Sequence, residues 1–173
     1  MQKKAPSAAI FDAQSVKASN HPGGRGFDAG KKIMGRKRHL VVDTLGLILG
    51  VLVTGANVPD RAGAARLLPA VLQRHGRLRQ LWADAGYSGT ALAEQLRAAV
   101  PQRGLRLEIV RRCDHKVRGF VVQPKRWIVE RSFAWLSHAR RLTRDYETKE
   151  QHSAALILIA ASRLMLRRLT VTF

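Results

Sequence analysis

Two aspartates of this chain lie in apolar segments, where an unpaired carboxylate is costly. Asp12 is at the centre of IFDAQ, and Asp84 lies within LWADAGY. An ionised carboxylate in such surroundings is unfavourable unless it is paired or bound to a cation. Two carboxylates at the ends of neighbouring strands suit Mg²⁺, a hard cation that prefers oxygen ligands. The sequence therefore predicts a metal site built on Asp12 and Asp84.

Glu130 is the candidate for a third carboxylate ligand. A helical turn of about 100° per residue puts Glu130 on the side opposite the apolar stripe of its segment. The polar face holds Arg126, Glu130, Ala134, Ser137 and Arg141, and the apolar face holds Ile128, Trp135, Ala139 and Leu142. The acid then points towards a substrate. The same spacing also fits an exposed glutamate that pairs with Arg126 one turn earlier.

Five other acids have structural explanations in the sequence. Asp43 belongs to a hairpin turn, and Asp60 is placed to cap the start of a helix. Asp145, Glu147 and Glu150 lie in a polar stretch between two helices. These five residues are therefore not expected to carry chemistry.

The chain is strongly basic, which points to a polyanionic partner. Its 173 residues include 31 Lys and Arg against 12 Asp and Glu, a net charge of +19. Such charge in one domain usually neutralises phosphates, and its spread along the whole chain favours nucleic acid over a membrane surface. The Gly-rich stretch from Asn20 to Arg38 is interpreted as a mobile basic loop. The expected DNA contacts are Lys31, Lys32, Arg36, Lys37, Arg38, Arg126, Arg140 and Arg141.

Several classes of protein are excluded by simple counts. The single cysteine, Cys113, rules out a disulfide framework and is expected to be a packing residue. The start of the chain is not typical of a secretory signal, and the apolar run Ala154–Ala161 is too short to span a bilayer. No histidine pair has the spacing of a metal site. A cytoplasmic, nucleoid-associated protein is expected.

The elements that must position these residues follow from hydropathy and turn signals. They predict one domain over residues 1–173, an α/β fold with a mixed five-stranded sheet flanked by helices. Predicted strands cover Ala8–Val16, His39–Asp43, Leu47–Thr54, Arg79–Ala83 and Leu105–Val110. Helices are predicted after Asp60, over Ser88–Val100, around Glu130 and over Gln151–Leu169.

Three segments resemble the catalytic region of insertion-sequence DDE transposases, most closely the insertion-sequence five group. They are IFDAQSVK, LWADAGYSG and VVQPKRWIVERSFAWLSHARRLTRDYE. The resemblance runs from about Ile10 to Leu166 and includes HLVVDTLGL and PDRAGAARLL between them. It implies a ribonuclease-H-like fold and a transposase.

The resemblance assigns roles to three acids. Asp12 matches the first catalytic aspartate of the family, Asp84 the second, and Glu130 the catalytic glutamate. Together they are implied to hold two Mg²⁺ ions, for which Mn²⁺ can substitute. Many relatives carry a Tyr, Arg, Glu and Lys series around the glutamate. Arg126 and Glu130 fit that series, whereas Gln123 stands at the Tyr position and Ser137 at the Lys position. The missing Lys puts one DNA contact of the family in doubt.

The implied activity is metal-dependent strand cleavage at insertion-sequence ends and strand transfer into target DNA. A homodimer on DNA is expected. Relatives usually carry a DNA-recognition region before the first aspartate, and only eleven residues precede Asp12, so the product of an upstream reading frame is an expected partner. Two alternatives stay open: a ribonuclease-H-like nuclease without strand transfer, and an inactive or regulatory DNA-binding remnant of a transposase.

Overall fold

The apolar, β-branched start of the chain forms the strand that carries Asp12, and the rest of the fold is arranged around it. A computed structural model describes residues 5–20, 23–101, 104–110 and 125–170. Its strands are β1 (Ala8–Lys17), β2 (Gly26–Asp28), β3 (Ile33–Asp43), β4 (Ile48–Gly55), β5 (Gln80–Asp84) and β6 (Arg106–Val110). Its helices are α1 (Asp60–Arg74), α2 (Thr90–Ala99), α3 (Arg126–Ser137) and α4 (Glu150–Thr170).

The sheet is mixed, as predicted. Its order is β2-β3-β1-β5-β6, with β4 also paired to β3. β1 is antiparallel to β3 and parallel to β5, and β5 is parallel to β6. This topology with flanking helices confirms the ribonuclease-H-like α/β fold. The described residues form six strands rather than the five predicted, because the short β2 adds to the edge of β3.

Each face of the sheet has its own apolar core, since alternate residues of a strand point to opposite faces. On one face, Phe11 and Leu81 pack with the buried side chains of α1 and α2. On the other face, Ile10 and Trp82 pack with those of α3 and α4. The neighbours Phe11 and Ile10 therefore belong to different cores, and Asp12 shares the second face with Ile10.

The predicted basic loop from Asn20 to Arg38 is wrong at residues 26–28 and 33–38, which form strands. β3 begins at Ile33 and pairs with β1 from Gly35 to Asp43, so the run Arg36-Lys37-Arg38 lies inside the sheet. The side chains are buried, with relative exposures of 1%, 6% and 2%. Charge density suggested a solvated loop, but Arg36 and Lys37 form ion pairs with acids from other parts of the chain, and Arg38 donates to a distant backbone carbonyl.

Arg36 and Arg38 point to the α4 side of the sheet. The Arg36 guanidinium lies 3.2 Å from Asp145 and donates to the carbonyl of Thr148 at 2.7 Å. Arg38 donates to the carbonyl of Leu142 at 2.7 Å. The two arginines therefore hold the segment between α3 and α4 against β3.

Lys37 points to the opposite face, towards α1. Its ammonium is 2.7 Å from Asp60 and 3.7 Å from Asp28, and it donates to the carbonyl of Val58. The sequence suggested that Asp60 caps α1, and this prediction is wrong. Pro59 occupies the cap position, and Asp60 is the first helical residue. The acid is instead a partner of a buried lysine.

The C-terminal part of the chain differs from the prediction in one boundary. The helix that carries Glu130 ends at Ser137, and Arg140–Leu142 form a separate 3₁₀ turn. Ala139 and Leu142 therefore continue the apolar face without belonging to that helix. No helix in the described part of the chain is long and apolar enough to cross a bilayer. Cys113 and Gln123 lie outside the described residues.

We predict that Gly63→Ala destabilises the fold. A Cβ at this position of α1 would overlap the imidazole of His39 on β3. His39 is buried and bonded to Thr54 Oγ1 at 3.1 Å, so its ring has little room to move. Alanine normally favours a helix by up to about 1 kcal/mol over glycine, but overpacking costs about 1–3 kcal/mol. A net loss of about 1–2 kcal/mol is expected in urea unfolding.

The control for this variant is Gly30→Ala. A Cβ at Gly30 meets only Asp28 Oδ1, at 3.6 Å, so this change should leave the unfolding free energy nearly constant. Equal stability of Gly63→Ala and the parent chain would show that α1 is not packed against His39 through Gly63.

Candidate active site

The register of β1 against β5 brings Asp12 and Asp84 to the same level of the sheet. These parallel strands pair up to Ile10 and Trp82. Asp12 and Asp84 each lie two residues further along, so they stand at equal height, and side-chain alternation points both to the face of Ile10 and Trp82. The ladder between β1 and β5 stops at that last pair, so both carboxylates lie where the two strands begin to separate.

α3 lies over this face and carries Glu130. The helix packs on β1 and β5 through buried residues that include Ile128, Val129 and Phe133. Glu130 is on its outer side, and its side chain is 49% exposed. The predicted division of the helix into an apolar face and a face carrying the acid therefore agrees with the structure.

Arg126 connects this helix to β5. Its Nη2 donates to Glu130 Oε1, and its Nη1 lies 3.6 Å from Asp84 Oδ2. Burial disfavours the charge on Arg126, but the hydrogen bond and charge of Glu130, with the charges of Asp12 and Asp84, outweigh it and raise the Arg126 pKa. The alternative pairing of Glu130 with Arg126 is therefore present, and the same guanidinium also contacts the second aspartate.

Asp12 is the most desolvated of the three acids. Burial raises the pKa of its carboxyl to about 7; the backbone N–H of Ala13, 2.7 Å away, lowers it, and the negative charge of Asp84 raises it further. Arg126 and Lys31 lower it by smaller amounts. A buried carboxyl beside a second carboxylate is a group that gains strongly from a bound cation.

The turn after β5 holds Asp84 in place. The N–H of Gly86 donates to Asp84 Oδ1 at 2.8 Å. A Cβ on residue 86 would stand 2.9 Å from that oxygen, so a larger residue here would displace the Asp84 carboxylate. Arg61 from α1 donates to the carbonyl of Gly86 at 2.9 Å, which fixes the turn from its other side.

Tyr87 is a residue of the site that sequence reasoning did not single out. It is buried behind the carboxylates and packs edge-on against Phe11, with ring centroids 4.8 Å apart. Burial, followed by the charges of Asp12, Asp60 and Asp84, raises its pKa. The sequence signal was the spacing Asp-Ala-Gly-Tyr, in which a tight turn after a strand returns an aromatic residue to the core.

The three acids suit a divalent metal by their chemistry. Asp12, Asp84 and Glu130 supply only oxygen donors, the type that Mg²⁺ prefers. Within the described ranges, no three His, Cys, Asp or Glu side chains are assembled into a metal-binding group. The guanidinium of Arg126 lies between Asp84 and Glu130, so these two acids must turn from it to share one ion.

The expected DNA contacts divide into two groups. Lys31, Lys32, Arg126, Arg140 and Arg141 are exposed or partly exposed. The buried run Arg36-Lys37-Arg38 is held by internal partners and is not accessible to a phosphate, so these residues are removed from the expected contacts. The correction follows from the position of β3 in the sheet.

Lys31 is an exposed lysine whose charge acts on the Asp12 carboxyl. It lies on the turn between β2 and β3, where its backbone N–H donates to Asp28 Oδ1 at 3.0 Å. Its ammonium is 3.5 Å from the carbonyl of Ala13, one residue after Asp12. The next residue, Lys32, has a left-handed backbone with φ of 54° and is also exposed.

Two tryptophans lie along α3 on either side of an arginine. The Arg131 guanidinium carbon is 4.5 Å from the ring centroid of Trp127 and 4.5 Å from that of Trp135. Trp135 is partly buried, in line with its expected core position, and Trp127 is 43% exposed. The stack fixes the outer surface of the helix that carries Glu130.

Comparison with known proteins shows the family of this chain. A family model described as "Transposase DDE domain" matches residues 3–165, which include Asp12, Asp84 and Glu130. The chain belongs to the DDE transposase domain family. It is also 37% identical over 133 residues to a Burkholderia cepacia protein named "Putative transposase for insertion sequence element IS402".

The match to this relative covers 72% of the chain and 60% of the relative. The chain therefore spans about three fifths of the length of the curated relative that it matches. The resemblance of the chain to insertion-sequence DDE transposases is confirmed by both comparisons.

We predict that Asp12→Asn stabilises the metal-free DDE domain at neutral and alkaline pH. The folded Asp12 carboxyl has a pKa of about 7 against an ordinary value of 3.8, so the folded state binds more protons between these values. The stability of the parent chain should therefore fall as pH rises from about 4 to about 7 and stay constant above. The asparagine side chain of the variant does not ionise, so its stability does not fall with pH in this way.

The full shift corresponds to at most about 4 kcal/mol, and because Asp12 retains some solvent contact we expect about 1–3 kcal/mol at pH 8. Chemical unfolding at pH 4 and pH 8, in the presence of a chelator, measures the difference. The gain of Asp12→Asn should be present at pH 8 and absent at pH 4. A gain of the same size at both pH values would assign it to something other than ionisation.

Proposed function

We propose that this chain is the catalytic part of an insertion-sequence transposase, which cleaves DNA strands at the element's ends and joins them to target DNA. One observation carries the proposal. In a chain of the DDE transposase domain family, the β1–β5 register puts Asp12 and Asp84 at one level, beneath the helix that bears Glu130. We propose these three acids as the catalytic and metal-binding residues.

Asp12, Asp84 and Glu130 would hold two Mg²⁺ ions, or Mn²⁺ in their place. When bound, such ions lower the pKa of the attacking hydroxyl and stabilise charge on the leaving oxygen. Asp12 and Asp84 orient their oxygens from a rigid sheet, and the Gly86 N–H keeps Asp84 from rotating.

Two reactions are proposed at this site. In the first, the oxygen of water attacks a phosphorus at the element end, the bond to the 3′ oxygen breaks, and a free 3′-hydroxyl results. In the second, this 3′-hydroxyl attacks a phosphorus of target DNA and displaces the target's own 3′ oxygen. Each step makes one P–O bond and breaks one; the proton of the attacking group passes to solvent, and the departing 3′ oxygen takes a proton from solvent. No covalent protein intermediate is required.

DNA would be held by cations that are exposed or partly exposed. We propose Lys31, Lys32, Arg126, Arg140 and Arg141 as phosphate contacts, in a chain with a net charge of +19. Phosphate contacts of this kind give affinity that falls steeply with salt. The chain is proposed to act as a homodimer on paired ends, assisted by the product of an upstream reading frame.

The proposal is tested with a supercoiled plasmid that carries the coding sequence with its genomic flanks. The parent chain, the chain with the upstream reading frame, and Glu130→Gln in each context are compared with Mg²⁺, with Mn²⁺ and with a chelator. Metal-dependent nicks at the flanks and joined strand-transfer products, both absent from Glu130→Gln, are expected. Nicks without joined products would identify a nuclease. Salt-sensitive DNA binding without nicking in either context would identify a DNA-binding remnant.

A further inference from the structure

The Arg126 guanidinium occupies the place between two acids that are proposed to bind metal. Its Nη1 faces Asp84 Oδ2 on β5, and its Nη2 bonds to Glu130 Oε1 on α3. One guanidinium therefore neutralises carboxylates from two different elements. We propose that Arg126 couples metal binding to DNA binding, because it must leave these carboxylates before they can share a metal ion. This inference rests on the proposed function.

A metal ion and the Arg126 guanidinium compete for the carboxylates of Asp84 and Glu130. The side chains of Asp84 and Glu130 are 30% and 49% exposed, so they are open to ions from solvent, but the lone pairs that face each other are directed at the guanidinium. A divalent ion placed among them would stand close to the positive charge of Arg126 and be repelled by it. Metal therefore binds well only after Arg126 has moved.

DNA supplies an alternative partner for the displaced side chain. Arg126 is the first residue of α3, and its side chain is 23% exposed, so it can turn from the acids to solvent without unfolding the helix. A phosphate oxygen is a strong bidentate acceptor for guanidinium. DNA thereby frees the carboxylates for metal, and metal frees Arg126 for DNA. By thermodynamic linkage the two effects are equal in size.

Arg141 offers a matched control. It is also a proposed phosphate contact and also bonds to a glutamate, with Nη2 2.8 Å from Glu147 Oε1. Arg141 lies in the 3₁₀ turn that follows α3, and its guanidinium contacts Glu147 and Tyr146 rather than the three proposed metal ligands. Arg141→Gln therefore removes the same charge and one DNA contact but leaves the three carboxylates as they are.

The first measurement is Mn²⁺ binding by calorimetry without DNA, on the parent chain, Arg126→Gln, Arg126→Lys and Arg141→Gln. Arg126→Gln should bind Mn²⁺ about 10-fold more tightly than the parent, and Arg141→Gln should match the parent. Arg126→Lys keeps the charge on a single ammonium and should fall between them. Far-UV circular dichroism verifies that each variant is folded.

The second measurement is the affinity for a fluorescent 30-base-pair duplex with Ca²⁺ or with a chelator, at constant ionic strength. Ca²⁺ should tighten binding by about 10-fold for the parent and for Arg141→Gln, and by no more than about 2-fold for Arg126→Gln. Screening of the duplex by Ca²⁺ is common to all variants, so it cancels in the comparison.

Equal Mn²⁺ affinities of the parent and Arg126→Gln would overturn the coupling. So would an equal increase in their DNA affinities on addition of Ca²⁺. Neither result would contradict the proposed metal site. An absence of Mn²⁺ binding in every variant, with and without DNA, would overturn both the coupling and the metal-dependent function. The expected affinities in a chain that never nicks DNA would support the coupling and contradict the transposase activity alone.

Discussion

Replacing Asp84 with asparagine should lower the rate of Mg²⁺-dependent strand cleavage by about 10³-fold, a loss of about 4 kcal/mol of transition-state stabilisation. The fold should survive, because the amide oxygen of asparagine can still accept the hydrogen bond from the N–H of Gly86. The ion pair with Arg126 is lost, but its partners are 23% and 30% exposed, so it contributes at most about 1 kcal/mol. Activity and stability should thus separate in this variant.

The plasmid nicking rate, measured at saturating protein, gives the effect on chemistry, and anisotropy with a fluorescent duplex gives the effect on binding. Glu94→Gln is the matched control, since it also exchanges an acid for its amide, on the exposed side of α2. The control should cleave at the parental rate. If Asp84→Asn cleaved within about 10-fold of the parent, Asp84 would not be a metal ligand and the triad would have to be revised.

The position of the two aspartates was predictable because it depends on short-range patterns. Apolar residues around Asp12 and before Asp84 marked two strands, and the parallel pairing of β1 with β5 then put the acids at equal height. The side of α3 that bears Glu130 followed from helical spacing in the same way. The two strands and the helix face needed only local hydrophobicity and one element's geometry, whereas the register of β1 against β5 came from the structure.

The contacts that join elements were not predictable from such patterns. The buried pair of Arg36 and Asp145 spans 109 positions, so neither residue's neighbours in sequence indicate it. Arg126 was predicted as a DNA contact and as a possible partner of Glu130, yet its approach to Asp84 depends on how α3 docks on the sheet. Docking is set by the packing of whole faces, which a single sequence does not specify.

Asp145→Ala is expected to have the second large effect, a loss of folding stability. The Asp145 side chain is buried and accepts hydrogen bonds from Arg36, Ser153 and the backbone N–H of Glu147. Alanine would leave the guanidinium of Arg36, whose side chain is 2% exposed, without its counter-charge. Removing one partner of a buried ion pair costs about 3–5 kcal/mol. Urea unfolding at pH 7 should show a loss of this size.

Glu147→Ala provides the comparison, since its ion pair with Arg141 is at the surface and should be worth less than about 1 kcal/mol. The double variant Arg36→Met with Asp145→Leu removes both charges of this ion pair and should be more stable than Asp145→Ala. Asp145→Ala leaves both Arg36 and Arg38 without the charge of Asp145, whereas the double variant leaves only Arg38. The opposite order would mean that the carbonyl of Thr148, the second acceptor of Arg36, suffices to hold the guanidinium. The segment between α3 and α4 would then be held to β3 by hydrogen bonds rather than by charge.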